Sequence, residues 1–225
     1  MLGPNNNAIY LLTGLPGSGK TTAGRCIDNL SVAEIDPHFS PRFRETHTIR
    51  MRWLLQEYGT ASSSGNEPII AELRNFHQEQ RDKGNSEAIF EPLRAIRDSI
   101  VVIDAIRDID DLYYLQRAFG ATAMGLILPE PIAHEQFMHD QDDDKHRLSI
   151  KQFEKHIPKG DDVDRMHAAR EMAWEHAISE FGPDPENHRC IQEADVKINA
   201  SQSFPAVAKD SIDQIRLSIR ASISN

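Results

Sequence analysis

Short apolar runs alternate with longer amphipathic stretches along this chain. Two of the runs, Ala8–Thr13 and Ser99–Ile106, are apolar almost throughout and are shorter than an ordinary helix. Continuous apolar segments of this length are typical of strands that are buried on both faces of a parallel sheet. The same pattern predicts three further strands, at Ser31–Asp36, Ala121–Leu128 and Asp195–Ala200.

Helices are predicted between the strands, from apolar positions three and four residues apart and from residues that favour helix ends. Ser40 followed by Pro41 indicates one helix start, and Asp108 and Gly120 are the predicted caps of another. The predicted helices include 40–58, 68–83, 108–119 and 164–181, the last with a core stripe of Met166, Ala169, Ala173, Ala177 and Phe181. Alternating strands and helices predict an α/β fold with a parallel sheet.

Composition narrows the class of protein. The chain has 225 residues, 39% of them apolar, which favours one domain with a sizeable core. The net charge of −10 argues against broad binding to nucleic acid or to an anionic membrane surface. Cys26 and Cys190 are too few for a disulfide framework, which fits a reducing cytoplasm. No run approaches the roughly 20 apolar residues of a membrane span, and no cationic residue precedes Lys20, so we expect neither a membrane segment nor a secretory signal.

The stretch GLPGSGKTT directly follows the first predicted strand and matches the phosphate-binding pattern G-x-x-x-x-G-K-[ST]. Glycines let backbone N–H groups turn toward phosphate oxygens, and the positive end of the next helix points at the same place. Lys20 is expected to face solvent until it meets the β- and γ-phosphates of a nucleotide. The alternative is a glycine-rich turn with an exposed lysine. The predicted nucleotide-binding residues are Gly14, Gly17, Ser18, Gly19, Lys20, Thr21 and Thr22.

An acid stands at the end of the clearest later strand. Asp104, in the segment VVIDAIRD, is predicted to hold Mg²⁺ together with the hydroxyl of Thr21. The alternative is an acid that caps the following helix. The loop and the acid together predict binding of a nucleoside triphosphate with Mg²⁺, but they do not identify a reaction.

Four segments in order resemble the small P-loop kinases that phosphorylate nucleotides or nucleotide-like acceptors, such as nucleoside and deoxynucleoside monophosphate kinases and dephospho-coenzyme A kinases. They are GLPGSGKT (14–21), EID (34–36), VVIDAIRD (101–108) and EADVKINAS (193–201). The resemblance implies one P-loop NTPase domain, a three-layer α/β/α fold with a five-stranded parallel sheet. Its core would comprise residues 1–39, 99–128 and 166–225, with a helical acceptor-binding segment at about 40–98 and a lid at about 129–165.

A kinase requires cations around the transferring phosphoryl group and a second clamp for the acceptor. Arg107 follows the strand that ends at Asp104, where open α/β sheets bind ligands, and it is predicted to be catalytic together with Lys20. Asp36 ends another predicted strand, and it is predicted to accept a hydroxyl proton or to hold metal-bound water, with a turn-forming role as the alternative. Because arginine binds phosphate bidentately, acceptor binding is predicted for Arg42, Arg44, Arg50 and Arg107; for the first three, the alternative is a solvated basic helix face.

The predicted lid departs from the family pattern, because residues 131–147 are rich in acids and histidines. Lys145 and Arg147 are its residues with a permanent positive charge at neutral pH. Arg165 and Arg170 in the next helix are the alternative source of positive charge. The acids and histidines are also a candidate metal site, with a solvated loop as the alternative. The members of that cluster are His134, His139, Asp140, Asp142–Asp144 and His146.

The predicted activity is phosphoryl transfer from ATP, with Mg²⁺, to a nucleoside or deoxynucleoside monophosphate. By resemblance, Asn199 lines the adenine of ATP. Two alternative acceptors keep the same chemistry: dephospho-coenzyme A and a hydroxymethylated base in viral DNA. The net charge of the chain weighs against DNA. A different class is an NTP-binding regulator or weak NTPase without an acceptor. The expected partner is therefore a small nucleotide, and the chain is expected to act in the cytoplasm as a monomer or homodimer.

Overall fold

A parallel sheet is the centre of the molecule. The computed structural model describes residues 7–35, 45–50, 79, 86–139, 153, 157, 162–179, 181–185 and 188–223. Their sheet has the strand order β2-β3-β1-β4-β5, and every neighbouring pair is parallel. The strands are β1 (Ala8–Gly14), β2 (Glu45–Arg50), β3 (Ser99–Asp104), β4 (Thr122–Ile127) and β5 (Val196–Asn199).

Helices cover both faces of this sheet, which makes a three-layer α/β fold. Alternate residues of β1 enter two separate cores, because successive side chains of a strand point to opposite faces. Tyr10 and Leu12 pack with helices α1, α6 and α8, whereas Ile9 and Leu11 pack with α3 and α4. The helices are α1 (Lys20–Asp28), α2 (Val32–Ile35), α3 (Ser86–Phe90), α4 (Ile109–Phe119), α5 (Glu130–His139), α6 (Asp162–Ser179), α7 (Arg189–Gln192) and α8 (Phe204–Ile223).

Four of the predicted strands are found close to their expected positions, as β1, β3, β4 and β5. The predicted caps of α4 are also confirmed. The Asp108 carboxylate accepts hydrogen bonds from the N–H groups of Asp110 at 2.8 Å and Asp111 at 3.4 Å. At the other end Gly120 adopts the left-handed conformation, with φ 64°, that glycine tolerates best. No helix in the described part of the chain is long and apolar enough to cross a membrane.

The prediction of a strand at Ser31–Asp36 is wrong, because Val32–Ile35 form helix α2. The physical reason is a capping box. The Ser31 N–H and hydroxyl both donate to the Glu34 carboxylate, at 2.8 and 2.7 Å, and the Glu34 N–H donates back to the Ser31 hydroxyl at 3.3 Å. The serine and glutamate three residues apart satisfy backbone donors that only a helix start leaves open.

The prediction of a helix at 40–58 is also wrong over Glu45–Arg50, which form the edge strand β2. These residues pair in parallel with Ser99–Asp104 of β3. The sequence ETHTIR contains three β-branched residues, which fit a pleated strand better than a helix. Within the implied acceptor-binding segment at 40–98, Glu45–Arg50 are therefore a strand and not a helix. Of the predicted core stripe, Ala169 and Ala173 of α6 are buried, and so is Phe181 just beyond the end of this helix. Ala177 is half-buried, and Met166 is 40% exposed.

Candidate functional site

The glycine-rich loop connects β1 to α1 at the edge of the sheet where all the parallel strands end. Gly14, Gly17 and Gly19 have φ values of 149°, 78° and 82°, which side-chain-bearing residues rarely adopt. A Cβ on Gly14 would meet the Leu126 carbonyl oxygen at 2.8 Å, and one on Gly17 would collide with the Ala133 carbonyl oxygen. Glycine is therefore required at Gly14 and Gly17 by both conformation and space, because neighbouring atoms pack closely against the loop backbone.

Lys20 is the first residue of α1, and its side chain folds back over this loop. Its Nζ donates to the carbonyl oxygens of Gly14 at 2.8 Å and Leu15 at 2.6 Å, and to the Ser18 hydroxyl at 3.3 Å. The residue is only 7% exposed. The expectation of a solvent-facing lysine is thus wrong, because the carbonyls at the end of β1 supply acceptors that the sequence pattern does not reveal.

The charge of Lys20 is unusually easy to remove. Burial lowers the pKa of Lys20 from 10.5 to about 7; the Asp104 carboxylate opposes this shift, and the Arg107 guanidinium adds to it. Lys20, which follows the glycine-rich loop, and Asp104, which ends β3, therefore interact electrostatically. An incoming phosphate would provide the negative charge that restores the protonated lysine.

Thr21 and Asp104 meet directly beside the loop. The Thr21 hydroxyl donates to the Asp104 carboxylate at 2.8 Å, and Asp104 is only 5% exposed. Asp104 is the last residue of β3, whose backbone pairs with Leu12 of β1. The helix-cap alternative for Asp104 is wrong, because Asp108 caps α4. A hydroxyl and a carboxylate side by side are oxygen donors of the kind that Mg²⁺ prefers, so these residues fit the predicted metal.

Arg107 lies three residues beyond Asp104 and is half-buried. Its guanidinium carbon is 5.4 Å from the centre of the Phe181 ring. The Arg107 charge also lowers the pKa of His188, after burial as the main cause. Phe181 and His188 were not predicted as neighbours of the site, and no local signal could identify them, because they come from a segment more than 70 residues further along the chain.

The loop after β5 lies on the other side of the glycine-rich loop. The Asn199 side chain accepts a hydrogen bond from the Ser201 N–H at 2.9 Å, which is the geometry of a local turn. Phe204, the first residue of α8, is 41% exposed, and its ring carbon Cδ1 lies 3.0 Å from the position that a Cβ on Gly19 would occupy. This aromatic neighbour of the loop was missed from the sequence.

Two further predicted residues, Arg50 and Thr22, have a defined place in the fold, and five others lie outside the described residues. Arg50 ends β2, and its backbone pairs with Asp104. Thr22 lies in the first turn of α1. The catalytic, acceptor-binding and lid residues that lie outside the described residues are Asp36, Arg42, Arg44, Lys145 and Arg147.

The two alternative lid arginines lie in α6, where Arg170 donates to the Met138 carbonyl at 2.5 Å and so joins α6 to α5. Of the predicted metal cluster, His134 contacts Glu171 at 2.9 Å, and His139 is exposed. Its other members, Asp140, Asp142–Asp144 and His146, lie outside the described residues. The described residues contain no group of three metal-ligating side chains.

No family model matches the chain, and no curated protein matches it. Similar solved structures include a gluconokinase from Sinorhizobium meliloti 1021, with 14% identity, TM-score 0.49 and coverage of 99% of both chains. A shikimate kinase from Acinetobacter baumannii in complex with shikimate has 14% identity and TM-score 0.49, over 97% of this chain and 96% of that one. Kti12 from Chaetomium thermophilum in complex with ADP-AlF3 has 16% identity and TM-score 0.47, over 92% and 96%. Similarity at this level assigns no acceptor, and it does not support the predicted nucleoside monophosphate.

Proposed function

We propose that this protein is a kinase that transfers the γ-phosphoryl group of ATP, with Mg²⁺, to a small acceptor. One observation carries the proposal. The Thr21 hydroxyl contacts the Asp104 carboxylate at 2.8 Å, directly beside a buried lysine and a loop whose glycines leave no room for side chains. Phosphate-binding backbone, a movable cation and a pair of oxygen ligands are the parts that such a transfer needs.

On the donor side, each part has a distinct task. The backbone N–H groups of the loop would bind the β- and γ-phosphates, and Lys20 would exchange its carbonyl partners for a phosphate oxygen. Thr21 and Asp104 would hold Mg²⁺, which neutralises charge on the β- and γ-phosphates when it is bound. The exchange at Lys20 replaces neutral acceptors by a charged one, so the bond to ATP would more than offset the loss of the present hydrogen bonds of Lys20.

Arg107 completes the donor side in this proposal. The neighbouring Ile106 N–H donates to the Leu12 carbonyl of β1, so Arg107 follows directly on the strand ends beside the glycine-rich loop, where the transferring group would be. Its charge also contributes to lowering the pKa of Lys20, after burial as the main cause. Negative charge on that group is spread over its peripheral oxygens in the transition state. A cation held at this point would stabilise the transition state more than it would strengthen ATP binding.

For the acceptor, we propose a nucleoside or deoxynucleoside monophosphate, because the resemblance to nucleotide kinases covers most of the chain. Arg42, Arg44 and Arg50 would bind its phosphate, and Asp36 would receive the proton of the attacking hydroxyl. Dephospho-coenzyme A and a hydroxymethylated base in viral DNA keep the same chemistry with a different nucleophile. A regulator or weak NTPase would need none of these acceptor residues.

An acceptor screen tests the proposal. The full chain is incubated with ATP and Mg²⁺ and with each monophosphate, dephospho-coenzyme A or a small hydroxy acid, and products are weighed by mass spectrometry. A kinase adds one phosphoryl group to one class of acceptor, and ADP release rises in step with that product. ADP release that no acceptor accelerates would instead support the weak NTPase, and binding of ATP without ADP release would support the regulator.

A further inference from the structure

An aromatic ring separates two basic side chains near the glycine-rich loop. The ring of Phe181 lies beneath the Arg107 guanidinium, with 5.4 Å between the guanidinium carbon and the ring centre. His188 contacts the same ring in an edge-on arrangement, with ring centres 4.8 Å apart and planes at 69°. Phe181 is only 6% exposed, so its position is fixed by packing as well as by these two contacts.

The backbone around Phe181 holds this ring in a defined place. The Phe181 N–H donates to the Ile178 carbonyl at 2.8 Å, just beyond the end of α6, and Gly182 turns the chain with φ 81°. The ring therefore joins the end of α6 to the segment that follows β3. Because its support comes from a helix and a tight turn, it can limit the rotamers of a long arginine side chain.

His188 supports the same arrangement without adding a competing charge. Its Nδ1 accepts a hydrogen bond from the Cys190 N–H at 3.4 Å, which requires that nitrogen to be unprotonated. Burial, and then the Arg107 charge, lower the pKa of His188. A neutral histidine beside the ring leaves Arg107 as the cation that the ring attracts.

We propose that Phe181 is a positioning residue whose ring holds the Arg107 guanidinium beside the glycine-rich loop. This inference rests on the proposed function, because Arg107 has to act on the transferring phosphoryl group for its position to matter. Without the ring, the guanidinium would lose this contact and would meet the transition state less often. ATP binding, which depends on the loop backbone and Lys20, would change little.

Phe181→Leu removes the ring and keeps an apolar side chain. We expect it to lower kcat about three- to tenfold with little change in KM for ATP, which is the range that a cation–π contact allows. Phe181→Tyr restores the ring and should recover most of the rate. In a background of Arg107→Ala, Phe181→Leu should have no further effect on kcat, because the two residues act through one contact.

Phe119→Leu is the matched control. Phe119 is another buried phenylalanine beneath an arginine, with Arg94 5.2 Å from its ring centre, but it ends α4, which runs away from the loop. This control should lower the melting temperature and leave kcat unchanged. An equal loss of kcat from Phe181→Leu with and without Arg107 would overturn the inference, and so would an unchanged kcat in Phe181→Leu.

The double-mutant cycle of Phe181→Leu and Arg107→Ala also distinguishes failure of this inference from failure of the proposed function. If Arg107→Ala lowers kcat and Phe181→Leu does not, only the positioning role fails. If Arg107→Ala leaves kcat unchanged, the role of Arg107 in the proposed function fails with it. A second readout needs no acceptor: the change in the pKa of His188 on Phe181→Leu, followed by NMR, should differ between the protein with Arg107 and the Arg107→Ala variant, because a released guanidinium changes its distance from the imidazole. Equal changes in both backgrounds would mean that the ring does not hold Arg107, whatever the enzyme's rate.

Discussion

The centre of the sheet and its β2 edge are encoded in different ways. Every residue of β1 and β3 is buried, and both strands are continuous apolar runs in the sequence. The edge strand Glu45–Arg50 is polar and, within the described sheet, pairs with β3 on one side; the described segment before it is the short helix α2. A strand that is buried on both faces can be recognised from its own apolar sequence. The formation of an edge strand depends on pairing with a neighbouring strand that lies far away in the sequence.

The two regions also differ in the functional residues that lie next to them. The centre ends in the glycine-rich loop, Lys20, Thr21 and Asp104, which the structure brings into contact. The edge leads to residues predicted for the acceptor. We therefore expect substitutions at the centre to remove phosphoryl transfer, and substitutions in α2 at the edge to change stability with little effect on transfer.

The largest effect is expected from Lys20→Met. Methionine is about as long and is apolar, so it fits a buried site, but it brings no charge to the phosphates. Loss of such a cation costs several kcal/mol of transition-state stabilisation, so turnover should fall by about a thousandfold or more. The assay is phosphoryl transfer at saturating ATP, with the melting temperature measured on the same sample. Near-normal turnover in a folded variant would exclude the loop as the transfer site.

Arg107→Ala should have the next largest effect, a loss of roughly a hundredfold in transfer rate. Binding of a non-hydrolysable ATP analogue should change far less, because the guanidinium is proposed to act on charge that develops during transfer. The two quantities are measured by product formation and by calorimetric titration. A variant that loses analogue affinity as strongly as rate would show that Arg107 binds ATP in the ground state instead.

The buried lysine predicts a smaller, pH-dependent effect on stability. The pKa of Lys20 is about 7 in the folded protein and 10.5 as its ordinary value, so between these values the unfolded chain binds the additional proton. Folding is then favoured by rising pH. The melting temperature of the wild type should therefore increase relative to Lys20→Met as pH rises from about 7 to 9. A difference that is constant with pH would mean that Lys20 stays charged in the folded protein.

The smallest effect is expected at the edge. Ser31→Ala removes the capping box of α2 and should cost about 1 kcal/mol of unfolding free energy, measured with urea. Arg216 of α8 still donates to the backbone carbonyls of Glu34 and Ile35, so the helix should remain in place. Transfer rate should be unchanged. A rate loss of about tenfold or more with this small change in stability would place α2 in the active site.

The sequence could predict features whose signal is local. The caps of α4, the central strands and the meeting of Thr21 with Asp104 all follow from short motifs or from strand ends that share one edge of the sheet. The strand assigned at residues 31–36 was wrong, although the Ser31–Glu34 spacing is a recognisable helix start. The carbonyl partners of Lys20 and the ring beneath Arg107 could not be predicted, because they depend on how distant segments pack.

The most direct test of the account is a magnesium titration of the rate of ADP formation, at fixed ATP, in the wild type and in Asp104→Asn. Asparagine keeps an oxygen that can accept the Thr21 hydrogen bond, but it removes the negative charge that would hold the metal. We predict that the wild-type rate saturates with Mg²⁺. Asp104→Asn should need about tenfold more Mg²⁺ or beyond, and should reach a lower maximum. Identical curves for the two proteins would contradict the claim that Thr21 and Asp104 form the metal site of a kinase.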